Sequence, residues 1–442
     1  MVYGINRDKN LKMKIHILGI CGTFMGGLAR ILSESDHDIS GSDVAFYPPM
    51  SDQLNDLGIN LTSGYAAKDL PGADLYIIGN ALSRGNESVE YILEKKLNFT
   101  SGPAMLGNVL KDKNVLAVSG THGKTTTAAM LCKIMHDKYK DIGYLVGGVA
   151  QDLEGSAKLG KGEYFIIEAD EYDSAFFDKR SKFIHYSPNT LIINNIEFDH
   201  ADIFSDVDEI YKQFHHLVRI IPNNGNIIFH SDDKDVEKLI QMGCWSNLFA
   251  LGEESISYNQ QENIISADNN YFPVDKLPFF GRHNYQNAVA AMHAAYLNGV
   301  DYKSAFNSLM GFGGVKRRLQ VVYNKNNKIV YDDFAHHPTA ISATIDAVIK
   351  DHSGGTLGII ELASNTMKSG HHGKALLESA HKLDYVYWLD RNRVLDHQNA
   401  FDDLENLLNV ANKDLKECEN ILLMTNSDSK KLIDPIAKIL DE

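Results

Sequence analysis

The sequence predicts an α/β protein built from three parallel-sheet units, and three observations carry that prediction. The chain has 442 residues, more than one hydrophobic core usually supports, so domains of about 150 residues each are expected. Apolar runs of strand length alternate with helical stretches along most of the chain. A strand, a glycine turn and a helix follow one another twice, after Ile15-His-Ile-Leu-Gly19 and after Val115-Leu-Ala-Val-Ser-Gly120. The expected division is residues 1–113, 114–316 and 317–442.

The first unit begins with a strand from Lys14 to Gly19, the turn Gly-Ile-Cys-Gly-Thr-Phe-Met-Gly-Gly27 and a helix through Leu32. A second strand ends near Asp43, where a Rossmann-like unit places an acid beside a ribose. Alternation continues through Asp74–Gly79 and a helix from Val89 to Lys96. A nucleotide-type ligand is plausible here, although glycines after a strand also serve simply to turn the chain.

The central unit opens with Gly120-Thr-His-Gly-Lys-Thr-Thr-Thr127, which reads as a phosphate cradle of P-loop ATPase type. Gly120 and Gly123 let backbone N–H groups approach a polyphosphate, Lys124 adds a positive charge, and the Thr125 hydroxyl suits Mg²⁺. The loop is shorter than the usual P-loop, since only Thr121 and His122 separate the two glycines. Two later apolar runs end in acids: Tyr164-Phe-Ile-Ile-Glu-Ala-Asp-Glu171 and Thr190-Leu-Ile-Ile-Asn-Asn-Ile-Glu-Phe-Asp-His200. Ligands of open parallel sheets gather beyond the carboxyl ends of strands, so Lys124, Thr125, Glu168 and His200 are expected to converge on a metal-nucleotide site. Asp170, Glu171 and Asp199 could act one layer behind the metal.

Asn259-Gln-Gln-Glu-Asn263 reads as a hairpin tip, and a helix begins near Asn284 with small residues suited to close packing. A third, Rossmann-like unit is expected after Phe312-Gly-Gly-Val-Lys-Arg-Arg318, starting with a strand at Lys328–Tyr331. Asp332-Asp-Phe-Ala-His-His-Pro338 follows that strand and is either a capped strand-to-helix turn or a polar cluster facing the same phosphates as Lys316, Arg317 and Arg318. The paired histidines at 215/216 and 371/372 are read as surface or helix-face residues, because adjacency is not metal-ligand spacing.

Composition narrows the classes of function. A hydrophobic fraction of 44% and a charged fraction of 23% are those of a globular protein, and no apolar run reaches the length of a membrane span. The formal charge of −15 argues against nucleic acid but leaves room for a local basic pocket. The 4 cysteines are widely spaced with no C-x-x-C pair, so neither a zinc knuckle nor a disulfide framework is indicated. The opening apolar stretch is too short and strand-like for a signal peptide, so a cytoplasmic protein is expected, with residues 1–12 dispensable for folding and activity.

Taken together and in order, Gly-Ile-Cys-Gly-Thr-Phe-Met-Gly-Gly27, Gly-Thr-His-Gly-Lys-Thr-Thr-Thr127, Glu168-Ala-Asp-Glu, Asn194-Asn-Ile-Glu-Phe-Asp-His200, Gly281-Arg-His-Asn284 and Asp332-Asp-Phe-Ala-His-His-Pro338 resemble the Mur ligase family. The resemblance runs from about Met13 to the last strand. It implies an ADP-forming amide ligase that uses ATP and Mg²⁺. The strings Gly79-Asn-Ala-Leu-Ser-Arg-Gly-Asn86, Tyr172-Asp-Ser-Ala-Phe-Phe-Asp-Lys-Arg180 and Asp199-His-Ala-Asp-Ile-Phe204 resemble the branch that joins UDP-N-acetylmuramate to the murein tripeptide L-alanyl-γ-D-glutamyl-meso-diaminopimelate in peptidoglycan recycling. By that resemblance Gly19, Gly22, Thr23, Met25, Gly26 and Asp43 hold the UDP part of the substrate. The loop residues from Gly120 to Thr126 hold the ATP phosphates, Thr125, Glu168 and His200 the metal, and Asn284 and Asn287 the adenine. Arg318 and Asp333 contact the nucleotide from the third domain, while His337, Ser364 and Asn365 contact substrate. A monomer or weak homodimer is implied.

Two strings depart from the family pattern. Glu361-Leu-Ala-Ser-Asn-Thr366 has Ala363 where an arginine is usual, and Met424-Thr-Asn-Ser-Asp-Ser-Lys-Lys431 replaces a glycine-rich stretch. Two other readings therefore stay open: a ligase that adds L-alanine alone to UDP-N-acetylmuramate, and a nucleotide-gated binding protein without turnover.

Overall fold

The computed structural model describes residues 12–46, 50–199, 203–252 and 255–442. His200, and all but the last residue of the stretch 1–12, lie outside the described residues.

Residues 14–101 form a five-stranded parallel sheet in the order Asn60–Ser63, Asp38–Asp43, Lys14–Leu18, Leu75–Ile78, Phe99–Ser101. The strand Leu75-Tyr-Ile-Ile78 is buried along its whole length, as expected of a parallel strand covered on both faces. The order reverses direction between Asp38–Asp43 and Leu75–Ile78, which flank Lys14–Leu18, and the first glycine turn sits at that switch point. His16 is buried beneath it, with its two ring nitrogens bonded to Ser40 Oγ at 2.8 Å and Ser42 Oγ at 2.7 Å.

The central sheet has seven strands, ordered Asn247–Leu251, Asn226–His230, Thr190–Ile193, Asn114–Ser119, Tyr164–Glu168, Gly143–Leu145, Ala157–Lys158; only the last pair is antiparallel. Helices Lys124–Tyr139 and Arg282–Leu297 pack against each other on one face, and the alanines at 128, 129, 288, 290, 291, 294 and 295 permit that close approach. The second of these helices starts at Arg282, two residues before the position expected from the sequence. Asn259–Asn263 does form a hairpin tip, joining Ser257–Asn259 to Ile264–Ala267 in a separate three-stranded antiparallel sheet.

The third sheet has six strands, ordered Gln320–Lys325, Lys328–Asp333, Asn420–Met424, Thr356–Glu361, Tyr385–Leu389, Ala400–Phe401. It departs from the expectation at its start. Gln320–Lys325 is a strand that sequence reading passed over, and it pairs antiparallel with Lys328–Asp333 through a tight turn at Asn326-Asn327, both at positive φ. Its sequence, Gln-Val-Val-Tyr-Asn-Lys, has a short apolar centre between polar ends on a largely exposed edge, a pattern weaker than the apolar runs of buried parallel strands.

Candidate functional site

The phosphate loop is shaped by its neighbours as much as by its own glycines. Gly120 has φ +123°, and a Cβ there would lie 2.9 Å from the backbone of Asn195. Asn195 also takes two loop donors: its carbonyl accepts Thr121 N–H at 3.1 Å and its side-chain Oδ1 accepts His122 N–H at 2.7 Å. The bareness of Gly120 thus lets the Asn194-Asn195 segment buttress the loop. Gly123, at φ +79°, ends the turn, and a Cβ there would meet Asn287 Oδ1 at 2.6 Å. Beyond it the N–H groups of Lys124, Thr125 and Thr126 have no acceptor among the described residues. Together with the helix dipole, those three donors make an anion site.

Lys124 lies in that mouth, its Nζ donating to Gly120 O at 2.6 Å, Thr121 O at 3.3 Å and Glu171 Oε2 at 3.3 Å. Burial works against its charge, but Glu171, then Asp170 and Glu168, outweigh burial and hold the ammonium above its ordinary range. Thr125 donates its hydroxyl to Glu168 Oε1 at 2.9 Å, and Gly147 N–H fixes the other oxygen, Oε2, at 2.7 Å. A hydroxyl and a carboxylate oxygen side by side are the hard donors Mg²⁺ prefers, so these residues fit that ion. Asp170 is engaged by Lys182, whose Nζ is 3.0 Å from Oδ2 and also lies over the rings of Tyr172 and, across the domain boundary, Phe24.

Asn284 and Asn287 are nearly buried at the start of the helix behind the loop, with Asn287 Oδ1 closest to Gly123 and Asn284 Nδ2 bonded to Phe280 O at 2.9 Å.

At the hinge, Asp333 is a brace. Its carboxylate accepts Leu319 N–H at 2.7 Å, Ala335 N–H at 2.8 Å and Thr344 Oγ1 at 3.3 Å, which holds the strained positive-φ turn at Arg317 and Leu319. Arg318 stacks over Phe334 at 5.1 Å.

The first glycine turn is built differently. Asp43 accepts Cys21 N–H at 2.9 Å and Val44 N–H at 2.8 Å, and Tyr65 OH reaches it at 3.3 Å. The carboxylate therefore holds the loop's own backbone. Gly19 has φ +80° and Gly22 precedes the helix Thr23–Glu34. Met25 and Gly26 point inward: Met25 is 6% exposed, and a Cβ on Gly26 would lie 2.0 Å from Met50 Sδ. Thr23, Phe24 and Met25 keep backbone N–H groups without acceptors among the described residues, so a role for Met25 in binding would come from its backbone. Burial, with help from Asp43, pushes the Cys21 thiol up to about 11, which makes it an inert small residue.

The resemblance assigns His337 to the substrate, and in the structure its ring also reaches the phosphate loop. His122 Nε2 is 3.1 Å from His337 Nδ1, and both nitrogens are 3.4 Å from Glu197 Oε2. Thr339 donates its hydroxyl to the same oxygen at 2.6 Å. Burial opposes the Glu197 charge, yet His122, Thr339 and His337 pull the carboxyl down to about 2. Burial lowers His337 to about 4. His372, expected on a surface or helix face, packs edge-on against the His337 ring with centroids 4.5 Å apart. Glu197 was missed altogether; its place four residues into a strand-end string beside two asparagines was the available signal.

Ser364 and Asn365 lie across a cleft of about 200 Å³ from Tyr172 and Asp199, with Ala363 and His336 also on its wall. Thr366 donates to Asp199 Oδ1 at 3.1 Å, closing its floor between the central and C-terminal domains.

The chain matches, in succession, the profiles described as Mur ligase family catalytic domain over residues 14–114, Mur ligase middle domain over 118–295, and Mur ligase glutamate ligase domain over 317–432. It belongs to the Mur ligase family. It is 44% identical, over 96% of its length and 99% of the relative's, to UDP-N-acetylmuramate–L-alanyl-γ-D-glutamyl-meso-2,6-diaminoheptanedioate ligase of Escherichia coli. The Haemophilus influenzae protein of the same name is 46% identical over 85% of each chain. Among solved structures, a murein peptide ligase from Psychrobacter arcticus superposes with a TM-score of 0.74 at 38% identity, covering 97% of this chain and 98% of that one. Among the described residues no helix is long and apolar enough to cross a membrane.

Proposed function

We propose that this chain is an ATP-dependent, ADP-forming ligase that joins the lactyl carboxylate of UDP-N-acetylmuramate to the α-amine of L-alanyl-γ-D-glutamyl-meso-diaminopimelate in the recycling of peptidoglycan. The observation that carries the reading is the meeting of Lys124, Thr125 and Glu168 at the mouth of one loop, in a chain similar end to end to ligases of that name.

The loop donors and Lys124 bind the ATP phosphates, with Lys124 offsetting charge on the γ-phosphoryl group as the sugar carboxylate attacks it. ADP departs and an acyl phosphate remains. The tripeptide amine then attacks the acyl carbon, and inorganic phosphate leaves from the tetrahedral intermediate. Thr125 and Glu168 would hold Mg²⁺, with His200 as a third ligand, and that ion would supply charge neutralisation to the phosphates. Asn284 and Asn287 would take the adenine, and the Asp43-braced turn the UDP. Asp333 would act by fixing the hinge that carries Arg318. The interdomain cleft would receive the tripeptide. Ala363 leaves that wall without the usual arginine, and Lys368 is the better substitute cation, because Lys374 is 88% exposed and already paired with Glu378.

The test is phosphate release from ATP in the presence of UDP-N-acetylmuramate with tripeptide or with L-alanine as the amine. Release that needs the sugar nucleotide and is faster by at least tenfold with tripeptide is expected. Preference for alanine, or no release with either, would overturn the reading.

A further inference from the structure

The three atoms that meet where the phosphate loop touches the C-terminal domain have the spacing of metal ligands. His122 Nε2, His337 Nδ1 and Glu197 Oε2 stand 3.1, 3.4 and 3.4 Å apart. A point lifted ~0.7 Å from their plane lies about 2.05 Å from all three, within the usual zinc–nitrogen and zinc–carboxylate range of about 2.0–2.2 Å. Edges of this length are also those of a tetrahedron of that radius, so three corners are in place and one is left for water. Two imidazoles and one carboxylate suit zinc, whereas an all-oxygen set would suit Mg²⁺.

The surroundings match as well. The Thr339 hydroxyl, 2.6 Å from Glu197 Oε2, orients the carboxylate in the manner of a supporting hydrogen bond behind a metal ligand. Thr121 Oγ1 accepts Glu197 N–H at 2.8 Å, which fixes the backbone on which that carboxylate is mounted. Metal binding would replace the His122–His337 contact and the long 3.4 Å bond from Thr339 N–H to His337 Nδ1. His337 is the residue before the helix Pro338–Asp351, so its backbone is set by a proline-started helix.

We propose that His122, Glu197 and His337 form a zinc-class cation site, separate from the Thr125–Glu168 pair, that clamps the C-terminal domain onto the phosphate loop. The site goes beyond the ligase reading and its binding does not depend on it. Two of its ligands belong to the central domain and one to the C-terminal domain. An ion held by all three therefore ties the domains in the arrangement seen here, and stabilises it by ordinary binding linkage.

The experiment is titration of the full-length protein with Co²⁺, a spectroscopic stand-in for zinc, followed by displacement with Zn²⁺. One equivalent should give the intense visible bands of four-coordinate Co²⁺, which zinc abolishes. The bands should persist in Glu168→Gln, which alters only the other site. They should vanish in His337→Asn and Glu197→Gln, and Thr339→Val, the mildest change, should weaken zinc binding about 10- to 100-fold. Zinc should also raise the melting temperature of the wild type and not of His337→Asn. Absence of the bands in the wild type, or their survival in both ligand variants, overturns the proposal. If those variants misfold, zinc-edge X-ray absorption of the wild type decides: two imidazoles plus oxygen support it and an all-oxygen shell refutes it. Phosphate release is measured separately, so failure here leaves the ligase reading standing.

Discussion

The two glycine turns of this chain look alike in sequence and are put to different use by the fold. Both follow a buried parallel strand, both open a helix, and both leave three first-turn N–H groups without acceptors among the described residues. In the first, Asp43 spends its carboxylate on the loop backbone and Gly26 makes room for Met50. In the second, Lys124, Glu171 and Glu168 surround the donors with charge, Thr125 adds a hydroxyl, and Gly123 makes room for Asn287. A glycine pattern therefore identifies a place where backbone donors can be offered to an anion. The charged residues around it decide whether the site can also assist phosphoryl transfer.

The strongest way to break this contrast is to remove its charge. Lys124→Ala should reduce phosphate release by about 10²–10³, the scale of losing one transition-state donor. It should also destabilise the protein, because Glu171 is only 3% exposed in the ion pair and would lose that partner. Lys124→Ala combined with Glu171→Gln should recover much of the melting temperature and none of the activity. Recovery of both would mean that Lys124 is only structural.

A pair of alanine substitutions sharpens the difference between the glycines. Gly123→Ala forces a side chain into a left-handed conformation, at about 1–2 kcal/mol, and against Asn287, so ATP affinity should fall at least tenfold. Gly26→Ala overfills the contact with Met50 and should cost about 1–3 kcal/mol of stability with ATP affinity unchanged. Isothermal titration and thermal melts on the two variants measure both quantities. The reverse pattern would remove the functional distinction between the turns.

The smallest effect is a pH dependence seated under the first turn. Burial holds His16 at about 4, below its unfolded value of 6.5, so the folded state favours the neutral ring. Its stabilisation is complete above pH 6.5, declines as the unfolded chain takes up a proton between 6.5 and 4, and is lost below that range. Melting temperature should fall on acidification through this window, with about 1–3 kcal/mol from His16. His293, also held at about 4 by burial, adds a parallel loss in the central domain. A His16→Gln variant should show a shallower slope; an unchanged slope would place the titration elsewhere.

Much of this was legible in the sequence because it depended on local pattern. Apolar runs located parallel strands such as Leu75–Ile78, Tyr164–Glu168 and Thr190–Ile193, and Gly-Lys-Thr-Thr located the loop. Glu168 could be chosen because it ends an apolar strand in the unit that holds the loop, and that strand lies beside the loop strand in the structure. What stayed hidden depends on packing between distant segments. Nothing near Asn195 indicates that it would take two donors of a loop 73 residues earlier, or near His337 that it would meet His122 across 215 positions. The edge strand Gln320–Lys325 stays hidden in the sequence because its exposed positions leave only a short apolar centre.

The division of labour between the turns is tested most directly by measuring the binding of a non-hydrolysable ATP analogue and of UDP-N-acetylmuramate, each alone, to Lys124→Ala and to Asp43→Asn. The account predicts that Lys124→Ala loses the ATP analogue and keeps the sugar nucleotide, while Asp43→Asn, with its loop unbraced, does the opposite. Loss of both ligands by either variant, in protein that melts as one folded species, would contradict it.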